Sequence, residues 1–161
     1  MKRLLVLSDT HTFDPDELPP AVFSEAEGCD LIVHCGDVGS DEVLDALREA
    51  GEVLCVQGNT DRGVPGLDEL PDHAVIEVEG ARVGAVHGWG ALEDPTELLP
   101  VFHPTPVDVV LFGHTHRRLA RTEGGVFFLN PGAVRNPRDD RPSFALLEVD
   151  GGDYRHKFVI L

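Results

Sequence analysis

The amino-acid sequence predicts an α/β fold, a layered sandwich of two sheets packed face to face with helices outside. Three observations carry this reading. Over the front half, short apolar runs at Leu4–Leu7, Leu31–Val33 and Val53–Val56 alternate with helical stretches, which is the rhythm of βαβ units. The back half changes to strand pairs joined by turns at Glu79-Gly80, Glu123-Gly124-Gly125 and Asp150-Gly151-Gly152. Finally, the 161 residues are the length of one domain with a full core, 1–161, and contain no repeat, low-complexity tract or linker.

Each element has its own signal. Leu4-Leu5-Val6-Leu7 is apolar on both faces and ends at Ser8-Asp9-Thr10-His11. Phe13 to Pro20, rich in Asp and Pro, is a loop, followed by a helix from about Ala21 to Glu27 that Gly28 closes. Leu31-Ile32-Val33 ends in His34-Cys35-Gly36-Asp37. Ser40 or Asp41 caps the next helix, Val43, Leu44 and Leu47 form its buried stripe, and Gly51 terminates it. Val53–Val56 ends in Gly58-Asn59-Thr60-Asp61. His73–Val78 and Arg82–Val86 form a hairpin that runs into His87-Gly88, and a short helix at Pro95–Phe102 precedes the strand at Val107–Phe112. Arg117–Arg121, Val126–Leu129, Ser143–Val149 and Tyr154–Ile160 complete the set as antiparallel strands, with Phe127, Phe128 and Leu129 as core residues.

Charge and cysteine usage narrow the function. A net charge of −16 and a pI near 4.6 argue against binding nucleic acid through its phosphates, which requires a basic face. The only lysines are Lys2 and Lys157, and 11 of the 13 basic residues are arginine. Two sources fit equally: a halophile's surplus of surface carboxylates, or a GC-rich genome. Cys29, Cys35 and Cys55 show no CxxC spacing and read as reduced thiols. Four apolar residues after Met1-Lys2-Arg3 are too few for a signal sequence, and no window is long enough for a membrane span, so a cytoplasmic location is expected.

The chemistry lies where apolar strands stop. Leu111-Phe112-Gly113-His114-Thr115-His116 places two histidines at i and i+2, which in extended backbone point to the same side. Alone the pair is weak evidence. Five strands, however, finish in metal-competent side chains: Asp9 with His11, Asp37, Asn59, His87, and His114 with His116. Seven oxygen and nitrogen donors exceed the needs of one catalytic ion and suit two, each with four protein ligands if one carboxylate bridges. The lack of thiolate and the presence of Asn argue against a structural zinc; Mn²⁺ is the expected metal, with Fe, Zn²⁺, Ni or Co as alternatives among which the spacing does not choose.

These motifs, in this order from Leu4 to about Ala133, resemble the calcineurin-like metallophosphoesterases, and Asn130-Pro131-Gly132-Ala133 resembles a turn of their small prokaryotic phosphodiesterase branch. The resemblance implies a four-layer α/β/β/α sandwich of two mixed sheets flanked by helices. It also implies that Asp9, His11, Asp37 and His116 hold one metal ion. Asp37 would bridge to a second, completed by Asn59, His87 and His114. Asp37, Asn59 and His87 are then catalytic candidates. A water between two divalent ions would attack phosphorus in line with the leaving oxygen of a small phosphate ester.

One position departs from the pattern. Family members often carry His between the Asn and the acidic residue, where it protonates the leaving group or contacts phosphate; here Thr60 stands there. A Thr hydroxyl donates a hydrogen bond but is too weak an acid to supply a proton near pH 7, so activated diesters are the expected substrates. Asn59, Thr60 and Arg62 are the substrate-contact candidates. Arg62 either reaches a phosphate or belongs to a solvated loop. Asp61 either orients the loop or is a solvated turn carboxylate, and His34 reads as a supporting residue rather than a ligand. Two rival functions remain: a non-catalytic scaffold like the retromer subunit of this fold, and a metal-dependent nuclease, which the acidic composition disfavours. Relatives also commonly self-associate, so a homo-oligomer is a further expectation.

Overall fold

The computed structural model of the chain describes residues 1–90, 93–139 and 141–161. The strands are β1 (Lys2–Leu7), β2 (Leu31–His34), β3 (Val53–Cys55), β4 (His73–Val78), β5 (Ala81–Val86), β6 (Val109–Phe112), β7 (Arg118–Glu123), β8 (Val126–Pro131), β9 (Ser143–Asp150) and β10 (Asp153–Ile160). The α-helices are α1 (Pro20–Ala26) and α2 (Asp41–Ala50). The strands form two five-stranded sheets, in the orders β10-β9-β1-β2-β3 and β4-β5-β6-β8-β7. Both are mixed: β1, β2 and β3 run parallel beside antiparallel β9 and β10, while β5, β6 and β8 run parallel between antiparallel β4 and β7.

The continuous apolar runs follow from burial on both faces. In β1, Leu4 and Val6 pack into the layer between the sheets, whereas Leu5 and Leu7 pack under α1 and α2. In β6, Val109 and Leu111 join the interlayer core, and Val110 and Phe112 face the segment Pro95–Phe102. This alternation produces four layers: helices, sheet, sheet, helical segment. In α2 the Ser40 hydroxyl accepts the Val43 N–H at the amino end, Val43, Leu44 and Leu47 are buried, and Gly51 stands at the carboxyl end.

Three elements differ from the sequence expectation. Pro95–Phe102 is a 3-10 segment rather than an α-helix: Pro95 and Pro100 contribute no N–H, and the layer is completed by Leu98 and Phe102 instead of by a helical hydrogen-bond ladder. The Asp-rich loop contains one 3-10 turn, Pro15–Glu17, capped by the Asp14 side chain. The strand expected at Val107 begins at Val109, since Asp108 turns its carboxylate to the Arg82 N–H at 2.8 Å. The topology points the parallel strands β1, β2 and β3 of one sheet, and β5 and β6 of the other, toward a common edge, and the loops that leave them meet there.

Candidate metal centre

All seven predicted donors lie in loops that leave the carboxyl ends of β1, β2, β3, β5 and β6. The sequence argument for the histidine pair assumed extended backbone, and the structure corrects it. His114 and His116 have φ of 65° and 57°, in the left-handed region. Asp9 (55°), His11 (43°) and Asp37 (57°) share that conformation. Among the described residues only Glu79 and Asn136 join them as non-glycine residues with positive φ. L-residues avoid this region, and such outliers gather where the surroundings over-determine the backbone for a task. The convergence therefore comes from sharply bent loops, not from strand alternation.

The donor atoms lie on two sides of the Asp37 carboxylate. Asp9 Oδ1 lies 3.6 Å from His11 Nε2 and 3.1 Å from His116 Nε2, and His11 Nε2 lies 3.5 Å from Asp37 Oδ2. On the other side, Asp37 Oδ2 is 3.4 Å from His87 Nε2. There Asn59 Oδ1 stands 3.0 Å from His87 Nε2 and 3.1 Å from His114 Nδ1. Each side draws on both sheets: Asp9, His11, Asp37 and Asn59 come from one, and His87, His114 and His116 from the other.

The remaining atoms of these side chains are tied down, which aims the donors. Asp9 Oδ2 accepts from the Ser8 hydroxyl (2.6 Å) and the His114 N–H (3.1 Å), leaving Oδ1 for the site. Nδ1 of His87 donates to the Cys35 carbonyl and that of His116 to the Asn136 carbonyl, each at 2.7 Å, so Nε2 of both rings is free to face inward. Asp37 Oδ1 accepts the Thr60 N–H at 2.9 Å, so Thr60 serves through its backbone while its side chain is exposed. Asp61 is fully buried, not a solvated turn residue: its carboxylate accepts the N–H groups of Asp37, Val38 and Gly58, each at 2.8 Å. Asn130 donates to the Gly113 carbonyl and to Thr115 Oγ1, which holds the loop that carries His114. Gly58 and Gly113 are required by closeness alone: a methyl at Gly58 would overlap Asp37, and one at Gly113 would overlap Ser8.

Electrostatics agree with a cation site. Burial works to raise the Asp9 carboxyl, yet the imidazoles of His11 and His116 hold it well below its usual range. Burial likewise opposes ionisation of Asp37, which His87 nevertheless keeps low. The His87 imidazolium, disfavoured by burial, is raised by Asp37, and His116 is raised by Asp9. Burial and the charge of His87 lower His114. Among the described residues, four buried side-chain polar atoms lack a hydrogen-bond partner, and two of them, Asp9 Oδ1 and His11 Nε2, point into this cluster. Buried polar atoms without partners are costly, and a cation is the partner that carboxylate and imidazole donors at such spacing fit. Groups Asp9-His11-His116 and Asp9-Asp37-His87 could each hold an ion.

Some side chains stand apart from the cluster. Arg62 pairs with Asp72 (3.3 Å) and lies over the Trp89 ring, beside rather than in the donor set. A wider cavity of about 420 Å³ opens at the opposite end of the sandwich, at the amino ends of β1, β2 and β3. It gathers Asp30, Glu52, Glu77 and Glu79 but none of the converging histidines. Sequence reasoning left the holding role of Ser8 unassigned, and the only signal for Asp61 was its place two residues after Asn59.

His34 is fully buried, with Nδ1 accepting the Gly36 N–H at 3.2 Å and Nε2 facing Thr10 Oγ1 at 3.1 Å. It fits the supporting role and no donor position. Burial lowers its pKa from 6.5 to about 4. Between these values the unfolded chain binds a proton that the native chain refuses, so stability falls as pH falls through this window. The expected loss is about 3 kcal/mol at ~1.4 kcal/mol per unit. Urea unfolding of the metal-free protein and of His34→Asn across this range checks it: the advantage of the wild type should shrink by that amount toward pH 4, and a constant difference would refute it.

The fold is that of a metallophosphoesterase. The chain belongs to the calcineurin-like phosphoesterase superfamily, whose domain profile matches residues 1–152. A probable metallophosphoesterase of Methanothermobacter thermautotrophicus is 38% identical over 148 residues, covering 91% of this chain and 85% of the relative. A phosphodiesterase of Methanocaldococcus jannaschii is 24% identical over 164 residues, covering 95% of this chain and 96% of the relative. Among solved structures, Vps29 of Entamoeba histolytica complexed with zinc superposes with a TM-score of 0.76 at 25% identity, covering 98% of both chains.

Proposed function

We propose that this chain is a two-metal phosphodiesterase, built on residues 1–161 as one domain, that hydrolyses a small or activated phosphate diester. The observation that carries the reading is Asp37 Oδ2, placed within 3.5 Å of His11 Nε2 on one side and of His87 Nε2 on the other. In this reading Asp9, His11, Asp37 and His116 hold one divalent cation, and Asp37, Asn59, His87 and His114 a second. Mn²⁺ is the proposed metal, in keeping with oxygen and imidazole donors and no thiolate; Fe, Zn²⁺, Ni and Co share that preference. When bound, the pair supplies an acidified water and positive charge opposite the phosphoryl oxygens.

The chain's own residues do the rest. Asp61 fixes the Asp37 and Gly58 backbones, and Asn130 fixes the loop of His114, so the donors are preorganised. No side chain at Thr60 can protonate a poor leaving group, which restricts turnover to esters whose leaving oxygen is already stable as an anion. Monoesters add a second negative charge to an acidic molecule, and the nearby Arg62 is already paired with Asp72. The relatives named as a phosphodiesterase and a probable metallophosphoesterase support the same reading. The similarity to a Vps29 complexed with zinc supports metal binding by this fold, and it also favours the second reading, a scaffold without catalysis. A nuclease is disfavoured by the net charge of −16. No helix among the described residues is long and apolar enough to cross a membrane. A cytoplasmic location and self-association are further proposals of this reading.

The test is hydrolysis of bis(p-nitrophenyl) phosphate and p-nitrophenyl phosphate by Mn²⁺-loaded protein, at low and at molar salt. The diester is expected to be the better substrate by about tenfold or more, the consequence of one fewer charge at ~1.4 kcal/mol per decade. Absence of turnover at both salts, with two metals confirmed bound, would leave the scaffold reading in its place.

A further inference from the structure

Next to Asn59 and His87 the surface opens into a cavity of about 170 Å³, walled by Val86, Leu98, Val101 and Trp89. Its lining is unusual for a surface. Five large hydrophobic side chains are exposed among the described residues, and two of them, Trp89 at 64% and Val101 at 40%, border this one cavity. Bare apolar area concentrated at one concavity marks a binding site rather than ordinary surface.

The polar part of the wall is arranged around the indole. The Arg62 guanidinium carbon lies 5.3 Å from the Trp89 ring centroid, and its Nη2 is 3.3 Å from Asp72 Oδ1. The guanidinium is thus held against the ring by a carboxylate that offsets its charge, leaving flat, polarisable surfaces around an apolar floor. Arg62 already takes the cation's place over the indole, and a planar ring can stack on the flat surfaces that remain. The size agrees: an engineered apolar cavity of ~150 Å³ in another protein takes up benzene.

Continuity with the metal centre decides what the ring is attached to. Asn59 and His87 line the cavity, and Asn59 Oδ1 and His87 Nε2 are also two of the converging donor atoms. A group linked to phosphorus through one ester oxygen therefore extends from the donors directly into this cavity. We propose that the cavity holds a planar aromatic substituent of the phosphate ester, and that Trp89 is the specificity-determining surface on which it stacks. The proposal rests on the phosphodiesterase reading, and deepens it by naming the substrate class: esters that carry an aromatic ring, whether simple aryl or nucleobase.

Trp89 is the only tryptophan in the chain, so its fluorescence reports this cavity alone. Calorimetric titration of the Mn²⁺-loaded protein with phenylphosphonate and methylphosphonate, together with the fluorescence, tests the proposal without requiring turnover. Phenylphosphonate is expected to bind at least about tenfold tighter and to change the Trp89 emission, while methylphosphonate leaves the emission unchanged. In Trp89→Ala the phenyl-over-methyl preference should fall about tenfold, toward parity. Thymidine 5′-monophosphate is the arm that separates the sources: binding with the same dependence on Trp89 assigns a nucleobase, and selective phenyl binding assigns a simple aryl ester. Equal affinities for the two phosphonates, or equal weakening of both by Trp89→Ala, would overturn the proposal. A retained phenyl preference in a protein that hydrolyses no diester would sink catalysis while leaving the cavity's assignment standing, so the two failures are told apart.

Discussion

Asp37→Ala is expected to lower kcat/KM for an aryl phosphodiester by at least about a thousandfold, a loss of ~4 kcal/mol in transition-state stabilisation. Two roles disappear with that carboxylate. Oδ2 stands between His11 Nε2 at 3.5 Å and His87 Nε2 at 3.4 Å, so in the proposed reading each ion loses a ligand at once. Oδ1 accepts the Thr60 N–H, so the loop that presents Asn59 also loses an anchor. Metal content measured by elemental analysis should fall from two ions per chain to one or fewer. Asp37→Asn separates the roles, because one amide oxygen can satisfy the Thr60 N–H but carries no charge to share. An Asp37→Ala protein with wild-type turnover would remove the bridging carboxylate from the mechanism.

The second large effect falls on a residue that touches no proposed ion. Asp61→Ala removes the acceptor for three buried N–H groups, on Asp37, Val38 and Gly58. Hydrogen bonds to a charged partner contribute ~1.5–3 kcal/mol each, and a donor left buried without a partner costs a similar amount. The metal-free protein is expected to lose roughly 4 kcal/mol or more in urea unfolding, a large share of the ~5–15 kcal/mol that holds a domain folded. Metal affinity should weaken a further ten- to hundredfold in the fraction that folds, because the Asp37 backbone is no longer fixed. Asp61→Asn should recover only part of the loss: its oxygen, placed where Oδ2 lies, still accepts from Asp37 and Gly58, while its NH₂ confronts the Val38 N–H. Unchanged unfolding would mean that the loops find other acceptors.

Much of this was legible in the sequence because strand ends are marked locally. Asp9, His11, Asp37, Asn59, His87, His114 and His116 each follow an apolar run, which marks them as residues at the carboxyl ends of strands, where the parallel strands of both sheets meet. The four-layer order was legible for the same reason, as runs apolar on both faces demand cover on both. What escaped was set by backbone or by distance in the chain. The left-handed φ at five donors is only weakly signalled by residue type: Asp and His enter this region more often than most side chains, but that preference does not say which of them do so here. Thr60 was weighed for its hydroxyl and acts through its N–H. Asp61 leaves two readings open in the sequence because Asp37 and Val38, whose N–H groups it accepts, lie 24 and 23 positions away. The cavity at Trp89 needed Arg62, Leu98 and Val101 brought together by the fold. Pro100, inside the segment Pro95–Phe102, is the sequence signal against a regular α-helix there.

Because each donor group takes atoms from both sheets, neither half of the chain owns a usable site. A polypeptide cut after β4 would carry Asp9, His11, Asp37 and Asn59 with nothing to close them, and the remainder would carry three histidines without a carboxylate. In the proposed reading, cation capture is therefore a record of completed assembly: a molecule that holds its pair of ions has both sheets in register. A growing or partly unfolded chain presents only weak, scattered ligands, and so competes poorly for scarce metal. In that reading the ions join the two sheets as a seam.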